Sequence, residues 1–357
     1  MNIKSLNRKL NKKFAGRVTA RLSDGCIVLT GELDDWNDVV DAGMTAATPH
    51  SSTHVVNDIV FTGAAEEKMH MPAIDDKALD GEKPDVLVIG GGISGCSVAR
   101  ELSRYKLSVL LIDKEADLAL GASGRNDGEV HPGVDLSKGS LKHKYIRRAN
   151  HMYEDLCREL DVPFKRTGQY ACFTHKSWLP FVSLYAKWRR DHDGIEDTCI
   201  VMGDEIRKKE PKISADVAFA LSNPSSGSVS PYNLVIAYAE NAVQNGARVS
   251  LNTAVTGMDV SGGEIKAVYT NRGTIYPREV INCAGVYSDV VAQMAQDRFF
   301  SIHPRRGTNS ILDKKTGASF HGIASIVMSQ SPVQTHTKGG GILHTMHDNL
   351  LIGPDAV

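Results

Sequence analysis

Between Arg17 and Gly63 apolar and polar positions alternate in short runs. Val18 to Leu22 and Cys26 to Leu29 read as strands around a Ser-Asp-Gly turn at Ser23 to Gly25, with Val55 to Phe61 as a third strand. Trp36 to Ala46 carries apolar residues at helical spacing. From Ala64 to Pro84 the periodicity is lost among polar, charged, Met, Pro and Gly residues, which predicts a linker. The pattern then becomes strand (Asp85 to Ile89), glycine turn, helix (Ser94 to Tyr105) and strand (Ser108 to Ile112), a βαβ unit. After Asn150, amphipathic stretches such as His151 to Leu160 mix with strand-like Gln169 to Phe173 and Val217 to Ala220. Alternation returns with a helix over Leu234 to Asn245 and strands at Ala247 to Leu251, Ile265 to Thr270, Thr274 to Tyr276 and Glu279 to Asn282. His344 to Ile352 reads as a hairpin turning at Asp348-Asn349.

At 357 residues the chain exceeds what one hydrophobic core supports, so two or three domains are expected. A net charge of -1 gives no electrostatic reason to expect nucleic acid, and a small-molecule substrate is the better expectation. Lys4, Arg8, Lys9, Lys12 and Lys13 crowd the start, but no apolar run follows, so they read as a solvated face rather than a signal peptide. The six cysteines are scattered without a CxxC pair, which argues against a metal site or a disulfide framework and fits a reducing cytoplasm. The apolar stretch from Val86 to Ala99 is interrupted by four glycines and two serines, too polar and short to span a bilayer.

Gly90-Gly91-Gly92-Ile93-Ser94-Gly95 places glycines at the three positions of a dinucleotide-binding fingerprint, between a strand and a helix. Gly90 permits a tight turn, Gly92 lets backbone amides approach a pyrophosphate, and Gly95 lets the helix pack close to the sheet. The helix N-terminus then faces the anion. Asp113 ends the second strand where a ribose hydroxyl contact is expected. These features do not separate NAD from FAD, because both carry the same ADP moiety.

Further on lie two more segments. One is Gly121-Ala122-Ser123-Gly124-Arg125-Asn126-Asp127-Gly128-Glu129-Val130-His131, glycine-rich and bearing hydroxyls; the other is Asn282-Cys283-Ala284-Gly285, where a strand runs into a small-residue turn. Together with the fingerprint they resemble the D-amino-acid-oxidase-like superfamily of FAD-dependent oxidoreductases, from about Asp85 to the C-terminus. Within it, Gly139 to Tyr153 and Leu160 to Gly168 look most like bacterial glycerol-3-phosphate dehydrogenases, and are also similar to L-2-hydroxyglutarate oxidases. Pro304-Arg305-Arg306-Gly307 matches the P-x-[KR]-G element of both groups, but Thr308-Asn309 follows where relatives commonly have Glu-Tyr or Ser-His. That departure leaves the substrate open. At the other end, Asp24 to Glu32 with Val55 to Ile59 resembles a BON domain; a small α+β appendage is the alternative.

The resemblance implies an α/β fold. A Rossmann-like FAD-binding domain of the glutathione-reductase type (85–165 and 225–300) would carry an inserted α+β substrate domain (166–224 and 301–357). A BON-like α+β domain (1–64) and a linker (65–84) would precede them. FAD is the implied cofactor, with Gly90, Gly92 and Gly95 at the pyrophosphate and Asp113, with the adjoining Lys114, at the adenosine ribose. Ser123, Arg125 and Asn126 would line the flavin loop, Val255, placed at a strand end, would meet adenine through its backbone, and Ala284-Gly285 would pass the ADP edge. No metal ligand set is expected.

Oxidising an alcohol needs a hydride acceptor and a group that takes the hydroxyl proton. His131 is the leading base, since imidazole titrates near neutrality, with a hydrogen-bonding role in a glycine loop as the alternative. Arg306 or Arg305 could grip a phosphate or carboxylate bidentately. The expected activity is sn-glycerol-3-phosphate dehydrogenation, with L-2-hydroxyglutarate second and amines such as glycine or sarcosine third. Electrons would pass to an acceptor protein or a quinone, in a cytoplasmic or peripheral membrane setting. Relatives continue past Val357, so a truncated chain is expected, with an exposed sheet edge that favours homo-oligomers or a partner subunit. A non-catalytic FAD-fold binding chain is the reading of another class.

Overall fold

A computed structural model of the chain describes residues 2–47, 54–64, 69–195, 197–327 and 341–353. The chain divides into two compact units, each built from two segments: Met1–Leu118 with Ala242–Pro304, and Ala119–Asn241 with Arg305–Val357.

The first unit begins with a helix over Ile3–Phe14 that the lysine-rich sequence had hidden. Leu6, Leu10 and Phe14 recur at four-residue spacing and are buried, while the lysines occupy the opposite face. The strands Val18–Ser23 and Cys26–Leu33 pair antiparallel, and Cys26–Leu33 pairs parallel with Val55–Phe61 across the helix Trp36–Ala46. Their facing side chains form one core with the first helix.

The same unit contains a four-stranded parallel sheet in the order Arg248–Ser250, Val109–Ile112, Val86–Ile89, Glu279–Asn282. The strands Val86–Ile89 and Val109–Ile112 are buried at every position, as a sheet with both faces covered requires. Leu87, Leu110, Ile112 and Ile275 are fully enclosed, each contributing about 1.5–3 kcal/mol by burial. A second sheet, Val255–Ser261, Glu264–Thr270 and Gly273–Ile275, is antiparallel. The described part of the expected linker is tied to this sheet and to its parallel neighbour. Asn271 Nδ2 donates to the Ile74 carbonyl (2.6 Å), Arg272 chelates Asp76 (3.0 and 2.9 Å), and Arg248 chelates Glu82 (2.8 and 2.6 Å).

The second unit is organised by a seven-stranded mixed sheet. Its order is Ser310–Ile311, Leu350–Gly353, Gly341–His344, Ile323–Ile326, Gln169–Phe173, Phe219–Asn223, Cys199–Met202. The strand expected at Val217 to Ala220 therefore lies further along, because Phe219 to Asn223 are the residues that register against Gln169–Phe173. The C-terminal hairpin pairs His344 with Leu350, and Asp348 takes a positive φ of 62° in its turn. The helices Leu141–Glu159 and Leu179–Asp193 belong to this unit. A small sheet joins Glu129–Val130 and Phe164–Lys165 to the two edges of Gly227–Val229. Residues 119–165 and 225–241, grouped by sequence with the nucleotide-binding domain, fall in the second unit, where Gln169 Nε2 donates to Glu129 Oε1 at 2.9 Å and Tyr185 Oη to the Val134 carbonyl at 2.5 Å.

Candidate functional site

The nucleotide cradle lies in the first unit and is made by close backbone approach. Gly90 ends its strand at a φ of +111°, and a Cβ there would sit 2.2 Å from the Cys283 carbonyl oxygen. A Cβ at Gly95 would lie 1.8 Å from the Gly90 carbonyl oxygen. Only glycine lets the strand end, the following helix and the Cys283 turn meet. Gly92 is the N-cap of the helix Ile93–Leu102 and offers no side-chain cap, and a helix N-terminus of this kind favours a nearby anion.

Asp113 closes the turn rather than standing off it. Its Oδ2 accepts from the Gly91 amide at 2.5 Å and its Oδ1 from the Glu115 amide at 2.8 Å. Each carboxylate oxygen has a second lone pair, so ribose hydroxyls can still be accepted. Lys114 Nζ pairs with Glu115 and lies 5.4 Å from the centroid of the Tyr287 ring. Val255 begins a strand rather than ending one. After Ser250 the chain runs beside Asp113, with Thr253 N donating to the Asp113 carbonyl at 2.8 Å, before entering the antiparallel sheet. Ala284 is held by Asn282, whose Oδ1 accepts from the Ala284 amide at 3.2 Å; Gly285 takes a φ of +58° with open space where a Cβ would be.

The second group of candidates lies in the second unit, in a loop knitted by side chains. Ser123 sits in a single helical turn, Ala122–Gly124. Asn126 Nδ2 donates to the Ala122 and Ser123 carbonyls (3.2 and 2.7 Å), and its Oδ1 accepts from the Gly128 amide (2.9 Å). Arg125 is exposed. Gly128, at a φ of +72°, brings the loop onto the strand Gly227–Val229, where Val229 N donates to its carbonyl at 3.0 Å.

His131 follows with its side chain 45% exposed and Nδ1 3.3 Å from Glu129 Oε1. That hydrogen bond, opposed by burial and reinforced by the charges of Glu129, Asp127 and Asp135, raises the imidazole above its ordinary pKa. The His131 carbonyl accepts from Asn150 Nδ2 at 3.0 Å; the same nitrogen donates to Ser225, and Arg166 donates to the Asn150 oxygens. Sequence reasoning missed Glu129, Asn150, Gln169 and Arg166, because their partners are far away along the chain. Arg305 and Arg306 are exposed in a stretch without regular structure, and no hydrogen bond among those described joins Arg306 to His131. Among the described residues, no cluster of three His, Cys, Asp or Glu side chains could hold a metal, and no helix is long and apolar enough to cross a membrane.

A parallel sheet with a glycine-lined strand-to-helix turn and an acid at the next strand end defines a dinucleotide-binding oxidoreductase fold. The residues present fit the ADP moiety of such a cofactor, since a Cβ at Gly90 or Gly95 would destroy the cradle. The chain belongs to the FAD dependent oxidoreductase (DAO) family, whose profile matches residues 85–357. It is 37% identical over 273 residues to a glycerol 3-phosphate dehydrogenase of Caloramator mitchellensis, covering 76% of this chain and 55% of that protein. It is 33% identical over 227 residues to an L-2-hydroxyglutarate dehydrogenase of Indibacter alkaliphilus, covering 62% of this chain and 56% of that one. The chain thus spans little more than half the length of these two relatives. Among solved structures, the dithionite-reduced L-alpha-glycerophosphate oxidase of Mycoplasma pneumoniae with FAD bound superposes with a TM-score of 0.68 at 26% identity, over 77% of this chain and 72% of that one.

Proposed function

We propose that the chain is an FAD-dependent dehydrogenase or oxidase of a small anionic secondary alcohol, with sn-glycerol 3-phosphate as substrate. The observation that carries this reading is the glycine cradle closed by Asp113, in a chain 37% identical to a glycerol 3-phosphate dehydrogenase. Gly90, Gly92, Gly95, Asp113, Lys114, Val255, Ala284 and Gly285 would hold the ADP part of FAD. Ser123, Arg125 and Asn126 would hold the flavin part. Bound FAD supplies a two-electron acceptor at N5. His131 takes the hydroxyl proton, and Arg306 pairs with the substrate's phosphate or carboxylate. L-2-hydroxyglutarate is the second reading, supported by the 33% identity to its dehydrogenase in Indibacter alkaliphilus. The acceptor is an electron-carrier protein or a quinone. The helix, strand, strand, helix, strand order of residues 3–61 supports a BON-like N-terminal domain.

The test is the visible spectrum after incubation with FAD, followed by anaerobic addition of glycerol 3-phosphate, L-2-hydroxyglutarate or glycine. Flavin bands should appear and bleach with glycerol 3-phosphate. Bands that bleach with none would leave a non-catalytic flavin-binding chain, and a colourless protein would sink the proposal altogether. His131→Ala should keep the bands and slow bleaching by about 10²–10⁴-fold, the usual contribution of a positioned base. The neutral imidazole is the working form and its pKa is raised. Bleaching should therefore accelerate as pH rises through a midpoint above that of a free histidine, and fade below it.

A further inference from the structure

Among the described residues, Glu129 is the carboxylate that pairs with the His131 ring, and its surroundings are unlike those of a loop residue. Its side chain is 8% exposed. Oε1 accepts from Gln169 Nε2 at 2.9 Å and from Ser226 Oγ at 3.3 Å, besides facing His131 Nδ1 at 3.3 Å. The donors are themselves oriented. Asn223 Nδ2 donates to Gln169 Oε1 at 3.3 Å, and Thr198 Oγ1 donates to Asn223 Oδ1 at 2.8 Å. Thr198, Asn223 and Ser226 are fully buried. A chain of dipoles therefore runs from Thr198 through Asn223 and Gln169 to Glu129, with the Ser226 hydroxyl between Glu129 Oε1 and the Val130 carbonyl (3.4 Å), and donors so directed stabilise a buried negative charge. Among the described residues, His131 is the one ion-pair partner of that charge.

We infer that Glu129 is the positioning residue for His131: its carboxylate fixes the ring proton on Nδ1 and leaves Nε2 as the atom that takes the substrate's hydroxyl proton. This rests on the reading of His131 as the base. A carboxylate without a proton can only accept, so the ring nitrogen facing it must carry hydrogen. When Nε2 takes a second proton, the imidazolium forms beside a carboxylate already desolvated and held, as an acid does for the histidine of a catalytic triad. Asn150 does the complementary work on the backbone, holding the His131 carbonyl at 3.0 Å. Asp127 and Asp135 also bear on the ring by charge alone, whereas Glu129 bears on it by hydrogen bond as well.

The experiment uses the full chain labelled with ¹⁵N at histidine, the His131 signal being the one lost in His131→Ala. In the unaltered protein His131 should titrate above about 6.5, the value for a free imidazole, and at high pH should show Nδ1 protonated and Nε2 bare. Glu129→Gln should bring the midpoint down toward that value. It should also move the acid limb of substrate-driven flavin bleaching to lower pH and cut the limiting rate about tenfold or more, part of the roughly 10²–10⁴ a base supplies. Flavin retention and substrate affinity should change less than threefold. The opposite tautomer, or a midpoint at or below 6.5 in the unaltered protein, overturns the inference without any variant having to fold. A midpoint unmoved by Glu129→Gln overturns it too. If His131→Ala bleaches at the normal rate, the base assignment falls and Glu129's catalytic role falls with it. The titration would then still report separately whether Glu129 holds the ring.

Discussion

The nucleotide cradle and the His131 loop solve the same problem, fixing a few atoms in place, by opposite means. The cradle uses backbone and the absence of side chains: three glycines and one acid within the stretch from Gly90 to Asp113, all local or one βαβ turn apart. The loop uses side chains reaching across the chain. Gln169 and Ser226 stand 40 and 97 positions from Glu129, and Asn150 stands 19 from His131. At Gly90 and Gly95 the cradle has no room for an added atom, whereas the loop depends on each of its hydrogen bonds. The two should fail differently when mutated.

The largest effect is expected at Gly95→Ala. The new methyl would meet the Gly90 carbonyl oxygen at 1.8 Å, and backbone cannot rotate aside as a side chain can. The helix Ile93–Leu102 must lift from the sheet, at a cost of about 3 kcal/mol or more by overpacking. FAD added to the purified variant should not be retained, as read from visible absorbance after gel filtration. Retention at the normal level would mean the cradle is not the cofactor's seat.

Next comes Asn150→Ala, on the helix Leu141–Glu159 that holds the loop at the His131 carbonyl. Asn150 is 4% exposed, and truncating its side chain leaves the His131 carbonyl without its donor and removes one acceptor from Arg166, whose bond to the Asn150 backbone carbonyl remains. Each buried group left unpaired costs about 1–3 kcal/mol, of which Ser225 is spared by its remaining bond to Arg166. Urea unfolding should show a loss of about 2 kcal/mol, while FAD stays bound and substrate-driven bleaching slows. Loss of flavin along with the rate would erase the distinction between the two regions.

That distinction also explains what the sequence disclosed. Glycine spacing between an apolar run and a helical pattern is a local signal, so Gly90, Gly92, Gly95 and Asp113 could be read directly, as could the strands Gln169–Phe173 and Glu279–Asn282. Glu129 could not be read, because nothing near it in sequence says that Gln169 and Ser226 will aim donors at it. The helix Ile3–Phe14 was hidden differently: its leucines were at helical spacing, but the lysines between them drew the reading toward a solvated face. Val255 was misplaced at a strand end because the turn through Asn252, held by Glu115 and Asp113, has no sequence signature of its own.

The smallest effect should fall within the cradle itself and tests whether all its glycines matter for one reason. Gly285 has a φ of +58°, close to the left-handed helical region, and a Cβ there meets nothing within 4 Å. Gly285→Ala therefore carries a conformational cost without a steric one, about 1 kcal/mol, the usual penalty for placing an L-residue in that region. Gly90→Ala carries both, since its φ of +111° is joined by a carbonyl oxygen 2.2 Å from the new methyl. Thermal unfolding should rank the two far apart, and Gly285→Ala should keep its flavin. If instead Gly285→Ala loses flavin while its unfolding temperature barely moves, the open space beside residue 285 is where the cofactor passes. The glycine would then be present to leave room for a ligand rather than to let the backbone turn.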